Sequence, residues 1–355
     1  MSRDVYRRSV AVMGTVVTVQ IVGRGAEGRP ALDLGDAVER AFGWFFRIEQ
    51  CCSRFDASSE AMQLTTRIGV AVPVSDVLYE AVRFALEVAE QSDGAFDPTV
   101  GHLMETRGFD RDYRTGLTVR TALEPAGPVS YLDVHLDPAG KTVTLLRPLM
   151  LDLGAVAKGL AIDMAARELQ PFERFAIDAG GDLYLGGRND LDEPWTVGIR
   201  HPRLDDTLID TLRVSDAAVC TSGDYERRSS RPEPGHHIID PRTGQPADEV
   251  ASATVVAPTA MAADALATAA FVMGPADGIQ WLERQGVDGL IVSTTLERYA
   301  TRGMYRDYHL GTTAGADGGS TIFPDAEGPA HHRPDDADGG GGAWPGPRAG
   351  GTRPG

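Results

Sequence analysis

Ala260-Met-Ala-Ala-Asp-Ala-Leu-Ala-Thr-Ala-Ala-Phe-Val-Met-Gly274 is the stretch on which the fold and function of this chain turn. Ala, Leu and Met favour helix and Gly274 is a natural stop, so the run predicts a helix of small and apolar residues. Asp264 and Thr268 lie four residues apart, which stacks an acid and a hydroxyl on one face, a turn apart. Burying either one unpaired is costly. In one account Asp264 bonds a neighbouring backbone amide and Thr268 bonds back to a carbonyl one turn earlier. In the other, the two hard oxygens hold Mg²⁺ beside a phosphate. The rest of the chain decides between them.

Residues 9–22 alternate apolar and small side chains around Met13-Gly14-Thr15 and predict a strand. Residues 31–50 and 75–92 predict amphipathic helices, the second capped by Ser75. Strand-like pieces follow at 129–136 and 142–146. Leu151-Asp-Leu-Gly-Ala-Val-Ala-Lys-Gly159 reads as a strand end running into a helix to about Leu169, whose first amides are free to face a ligand. Residues 175–185 predict a strand interrupted at Gly180-Gly181, and further strands fall at 195–199, 208–214, 218–221 and 252–257. A helix at 279–285 and closing strands near 289–293 and Tyr299 complete the pattern. Strands and helices intermix without a regular βαβ period, which predicts an α+β fold of mixed sheets with packed helices. Residues 1–310 form one catalytic domain in this reading. Residues 311–355, dominated by Gly, Pro, Asp and Ala, predict a disordered tail.

The chain has 355 residues and a formal net charge of −17, which argues against a nucleic-acid partner. A polyanionic ligand would need local cations or a metal to offset that field. Three cysteines, Cys51, Cys52 and Cys220, suit neither a disulfide framework nor a zinc site. The polar start and the lack of a membrane-length apolar run predict a cytoplasmic protein without stable membrane insertion.

Chemistry-bearing residues concentrate in loops. Asp97 follows Phe96 in a Gly/Pro-bounded loop, where it either caps its own turn or faces a ligand. Asp152 ends a strand, and Lys158 sits one turn into a helix whose dipole favours a phosphate. His236-His237 precedes Asp-Pro-Arg-Thr-Gly244. His237 can move protons, and Arg242 can neutralise phosphate oxygens or pair with Asp240. Gly-rich turns, Lys, Arg, His and a candidate Mg²⁺ pair together point to a diphosphate ligand.

Met13-Gly-Thr15, Asp97-Pro-Thr-Val-Gly101, the 151–159 segment, Gly180-Gly-Asp182, Thr221-Ser-Gly-Asp-Tyr225, His236-His-Ile-Ile-Asp-Pro-Arg-Thr-Gly244 and Asp264-Ala-Leu-Ala-Thr268 occur in register. In these motifs, from about Arg8 to Leu310, the chain resembles the FAD:protein FMN transferases, the ApbE family. The resemblance implies an enzyme that splits FAD with Mg²⁺ and joins FMN to a threonine hydroxyl of an acceptor flavoprotein through a phosphodiester, releasing AMP. It implies that Met13, Phe96, Asp97 and Asp152 line the FAD site. It also implies that the Ala155 carbonyl, Asp264 and Thr268 hold Mg²⁺. His237 and Arg242 match a loop near the pyrophosphate. His237 is the candidate base, with Asp97 or Asp182 behind it, and Lys158 or Arg242 stabilises the departing AMP. His102 and Thr65 stand where the family pattern has Pro and Asn. Asp317-Gly-Gly-Ser-Thr-Ile322 is similar to the small-residue, threonine-bearing sequences such enzymes modify. The competing functions are an FAD diphosphatase giving FMN and AMP, and a flavin-binding or delivery protein without turnover.

Overall fold

The computed structural model describes residues 4–23, 34–121, 123, 127–226, 229, 235–310 and 321–322. The N-terminal run expected as one strand folds as two, β1 (Val5–Val12) and β2 (Thr15–Val22), paired antiparallel around Met13-Gly14. Both turn residues have positive φ, 54° and 77°, as the two-residue hairpin turns that match strand twist require. Methionine rarely takes that conformation, so the unbroken β-branched pattern hid the turn.

Three helices follow, α1 (Leu34–Cys52), α2 (Glu60–Leu64) and, after the short β3 (Val72–Pro73), α3 (Asp76–Gln91). Ser75 caps α3 as expected, its hydroxyl accepting the Leu78 amide at 3.2 Å. The one-turn α4 (Gly101–Thr106) leads to β4 (Val134–Asp137) and β5 (Thr142–Leu145), which complete a small antiparallel sheet in the order β3-β5-β4. The strand expected from residue 129 begins with a 3₁₀ turn instead, because Ser130 and Asp133 form a capping box there.

Next come α5 (Gly154–Leu169), β6 (Phe175–Ala179), β7 (Asp182–Gly186), β8 (Trp195–Arg200), β9 (Leu208–Val214) and β10 (Ala217–Gly223). The short hairpin β11 (Ile239–Asp240) and β12 (Gln245–Pro246) precedes β13 (Val250–Ala257), α6 (Ala260–Met273) and α7 (Pro275–Gln285). The chain then runs through β14 (Asp288–Ser293), β15 (Arg298–Ala300), α8 (Arg302–Arg306) and β16 (Thr321–Ile322). The expectation of a disordered tail falls, apart from β16, on residues outside those described.

Eight strands form the central sheet in the order β1-β2-β6-β7-β10-β13-β14-β15, and each neighbouring pair is antiparallel. Parallel strand pairing appears where β16 meets β8, in a three-stranded sheet ordered β16-β8-β9. The α+β expectation therefore holds.

The sheet has a core on each face, and strand alternation assigns residues to one or the other. Along β10, Ala218 and Cys220 join the core beneath the helices, which includes Phe45, Leu78, Ile162 and Phe271. Ala217 and Val219 face the opposite way and pack with Trp195, Val197, Ile199 and Leu212 of the β8–β9 ribbon. The molecule is thus helices, sheet and ribbon in three layers.

Helix α6 lies at the centre. It is buried on nearly every side, Ala263, Asp264, Ala267 and Phe271 included, as an apolar-all-round helix must be. Its small residues permit close approach to α5: a Cβ on Gly159 would stand 2.4 Å from the Ala260 carbonyl oxygen. Asp163 of α5 accepts the Ala260 and Met261 amides at 2.7 and 3.0 Å, and the Thr259 hydroxyl accepts the Ala262 amide at 3.3 Å. These bonds satisfy three amides that a helix start leaves without internal partners.

Candidate active site

The acid and hydroxyl of α6 have both found partners. Lys158, one turn into α5, places its ammonium between two carboxylates. It forms an ion pair with Asp182 at the start of β7 and lies 3.3 Å from Asp264 Oδ2. Asp182 also accepts the Thr221 amide at 3.1 Å. One turn along α6, the Thr268 hydroxyl meets the Ser222 hydroxyl at 3.0 Å. Neither of the local bonds weighed for Asp264 and Thr268 from sequence accounts for this arrangement. Asp264 reaches Lys158 of α5, which in turn meets β7, and Thr268 reaches β10 directly.

The carboxylates are nearly buried, with side-chain exposures of 4% for Asp182 and 9% for Asp264. One ammonium facing two carboxylates leaves the triad one negative charge in excess. In so little solvent, that excess favours a second cation. The donors around it are carboxylate and hydroxyl oxygens, the set a hard divalent ion prefers. Among the described residues no three Asp, Glu, His or Cys side chains form a metal cage by themselves. A cation here would draw on hydroxyl, carbonyl or ligand oxygens as well.

Above the triad opens a cavity of about 210 Å³. Met13 and Gly14 of the first hairpin turn, Gly180-Gly181 of the second, Lys158, β8 from Val197 to Arg200, Thr221, Thr254 and Tyr225 are among its lining residues. The glycine pair has φ of 66° and 96°. A Cβ on Gly180 would lie 2.1 Å from the Thr15 hydroxyl, so the two hairpin turns can meet at the cavity only with glycine there. Burial pushes the Tyr225 hydroxyl pKa well up, so it stays protonated.

Asp152, Ala155 and His237 are grouped near the N-terminal end of α5. Asp152 accepts Arg54 Nε at 2.7 Å and the Gly154 amide at 2.9 Å. Arg54 is 8% exposed and also donates to the Phe109 carbonyl at 2.6 Å. The Phe109 ring meets His237 edge-on, with centroids 6.4 Å apart. His237 thus stands next to the Arg54–Asp152 pair through Phe109. Ala155 occupies the first turn of α5, between this group and Lys158.

Several assignments change in detail. Phe96 is 6% exposed and belongs to the core beneath the helices, away from the cavity lining. Asp97 accepts the Thr99 amide and hydroxyl at 2.8 and 2.7 Å and the Tyr131 amide at 2.9 Å, so its carboxylate builds the turn. Burial still raises its pKa. Arg242 forms a two-pronged pair with Asp240 at 2.9 and 3.0 Å, because an Asx turn brings both side chains together. Asp97 and Asp182, the acids expected behind His237, bond Thr99 and Tyr131, and Lys158 and Thr221, respectively. His236 has a structural place: it contacts the Ala247 carbonyl at 2.7 Å and the Phe271 ring of α6 edge-on at 5.7 Å.

Sequence reasoning missed Ser222, Arg200 and Tyr225 as site residues. The Thr221-Ser-Gly-Asp-Tyr225 motif carried a signal for two of them. Arg200 gave none, since a strand-end arginine is ordinary.

A family model described as the ApbE family matches residues 13–291. Among curated relatives, the FAD:protein FMN transferase of Treponema pallidum is 34% identical over 313 residues, covering 81% of this chain and 84% of the relative. That of Salmonella typhimurium is 30% identical over 308 residues, covering 81% and 84%. Among solved structures, the ApbE protein of Thermotoga maritima superposes with a TM-score of 0.75 at 32% identity, covering 85% of this chain and 99% of that one. The flavin transferase ApbE of Vibrio cholerae gives 0.73 at 26% identity, covering 86% and 99%. The matched segment runs from the hairpin turn at Met13 into β14 and leaves none of the site residues outside it, so the chain belongs to the ApbE family.

Proposed function

We propose that this chain is a Mg²⁺-dependent FAD:protein FMN transferase. It cleaves the pyrophosphate of FAD and passes FMN to a threonine hydroxyl of an acceptor flavoprotein, releasing AMP. The observation that carries this reading is the buried Lys158–Asp182–Asp264 triad beneath an open cavity, with Thr268 one turn from Asp264. The curated relatives bear the corresponding name.

Phosphoryl transfer is mainly a matter of position and charge. Asp264, Thr268 and the Ala155 carbonyl would hold Mg²⁺, which supplies Lewis-acid neutralisation of the pyrophosphate. Lys158 and Arg200 face the cavity and offset the dinucleotide's negative charge. The start of α5 adds the dipole of that helix, although its first amides, expected free from sequence, are largely taken: Asp152 holds that of Gly154, and the Leu153 carbonyl those of Val156 and Ala157. Met13 and Tyr225 supply walls of the cavity. Asp152 holds Arg54 and the first amide of α5, and Asp97 holds the turn that follows Phe96, so these three keep a structural part in this reading. The threonine oxygen forms its bond to the FMN phosphorus as the bond to the AMP oxygen breaks. AMP leaves with that electron pair, and His237 takes the hydroxyl proton. Arg242, with Nε and Nη2 held by Asp240, keeps Nη1 for a phosphate oxygen.

Two observations bear on setting. No helix among the described residues is long and apolar enough to cross a membrane. The net charge of −17 disfavours nucleic acid. We place the enzyme in the cytoplasm, with residues 1–310 as its catalytic domain.

The test is to incubate the protein with FAD and Mg²⁺, with and without a threonine-bearing flavoprotein acceptor. AMP release and covalent flavin fluorescence on a denaturing gel are followed. Transfer predicts both signals, with labelling only when acceptor is present. AMP without labelled acceptor indicates the diphosphatase, and no AMP indicates flavin binding alone. Asp264→Ala should lower Mg²⁺-dependent AMP release by about 10²–10³-fold, the scale of losing one preorganised charge-stabilising group. Full activity in that variant would remove Asp264 from the metal site.

A further inference from the structure

The cavity wall made by β8 is also the edge of a sheet. One side of β8 pairs antiparallel with β9 along its length. The other side meets β16 in parallel, with Thr321 opposite Thr196 and Ile322 opposite Val197. Among the described residues no further strand lies on that side, so the pairing stops at Val197. Val197 is also where the cavity lining begins, continuing through Gly198, Ile199 and Arg200. Thr321–Ile322 therefore lies against the strand that forms the cavity wall.

An open strand edge is a template for another extended backbone, because its amides and carbonyls hold a segment largely regardless of side chain. A reaction on a protein hydroxyl needs such a segment, drawn out of its own fold and aligned beside the reacting phosphate. The β8 edge offers that alignment directly along the cavity.

We propose that the outer edge of β8 is the docking track for an extended acceptor segment, and that Thr321–Ile322 occupies it in cis as a competitor. The acceptor's identity rests on the flavin-transfer reading; the strand pairing does not. Thr321–Ile322 then sets how readily a partner segment enters, and its release from β8 is a condition for transfer in trans.

The full chain carrying Thr321→Pro and Ile322→Pro tests this, because proline removes both amide donors of β16 and alters nothing in the body of the fold. Amide exchange at residues 196–198 should be about 5–30-fold faster in the variant, the factor for losing one or two kcal/mol of local stability. A synthetic peptide of residues 315–328 added to the variant should restore protection, and the same peptide with the two prolines should not. Supplied with FAD and Mg²⁺ as an acceptor, the unsubstituted peptide should show a lower KM with the variant than with the parent. Its kcat and the acceptor-independent release of AMP should stay unchanged. Equal exchange in variant and parent, or a peptide that gives no protection, overturns the proposal. If neither protein releases AMP from FAD, the flavin reaction fails while the exchange measurements still decide the docking track.

Discussion

At the residue scale, Lys158 is the position on which the site's charge balance depends. Its ammonium stands between Asp182 and Asp264 in a region where both carboxylates are almost dry. Removing one partner of a buried ion group leaves uncompensated charge, which costs about 3–5 kcal/mol. Lys158→Met should therefore destabilise the protein by roughly that amount. Mg²⁺ should recover part of the loss, because a divalent ion is then the sole strong counter-charge for two facing carboxylates. The readout is the thermal midpoint of variant and parent with and without Mg²⁺, without FAD. A Mg²⁺-induced rise no larger in the variant than in the parent would sink this account of the triad. The same residue shows how far sequence could reach. Spacing put Lys158 one turn into α5 and stacked Asp264 over Thr268, since helical periodicity is local. The meeting of Lys158 with Asp182, and of Thr268 with Ser222, depends on how α5 and α6 pack on β7 and β10. No local pattern encodes that. For Arg242 the residue type offered either a phosphate or Asp240, and its own Asx turn brings Asp240 to it.

Elements show a similar division. Helix α6 was legible because composition and stop agreed, and Gly274 stands at its end; the Thr259 cap at its start is seen in the structure. The hairpin at Met13-Gly14 was not, because its turn uses a residue that rarely takes positive φ. The contact between α5 and α6 was hidden too, although Gly159 marks it by leaving room for the Ala260 carbonyl. Asp163 makes that contact sensitive to pH. Burial raises its pKa from 3.8 to about 6, against the opposing pull of the Met261 and Ala260 amides. Between those values the folded protein binds more protons than the unfolded chain, so stability falls as pH rises and the loss is complete above the folded pKa. The effect should be on the order of 2–3 kcal/mol at full ionisation. Urea unfolding at pH 4.5 and pH 7 should show this decline in the parent, and Asp163→Asn should flatten it. An identical pH dependence in the two proteins would mean that other groups govern the stability of this joint.

Over the whole molecule, function depends on a third layer that periodicity alone could not place. Strands at 195–199 and 208–214 were evident from their β-branched and aromatic residues, but nothing local said that they leave the central sheet and cover its far face. The alternation along β10 supplies the reason: Val219 must be buried on that side as surely as Cys220 is on the other. Trp195 anchors the ribbon. It is fully buried and donates its indole NH to the Gly186 carbonyl at 3.2 Å, and the strand it begins forms the cavity wall two residues later. Trp195→Ala removes a large side chain from a packed core and leaves that carbonyl without its partner, at a cost of about 3–5 kcal/mol. The thermal midpoint should fall on the order of 10 °C. FAD affinity should weaken in the same variant, because β8 can then shift against β7 and change the cavity width. Trp195→Phe, which fills most of the volume and loses only the hydrogen bond, should lose roughly 1 kcal/mol and change FAD affinity little. Calorimetric melting and fluorescence titration with FAD separate the two variants. An alanine variant with weakened stability and unchanged FAD affinity would show that the wall is held by its hydrogen bonds to β9, independently of the core behind it.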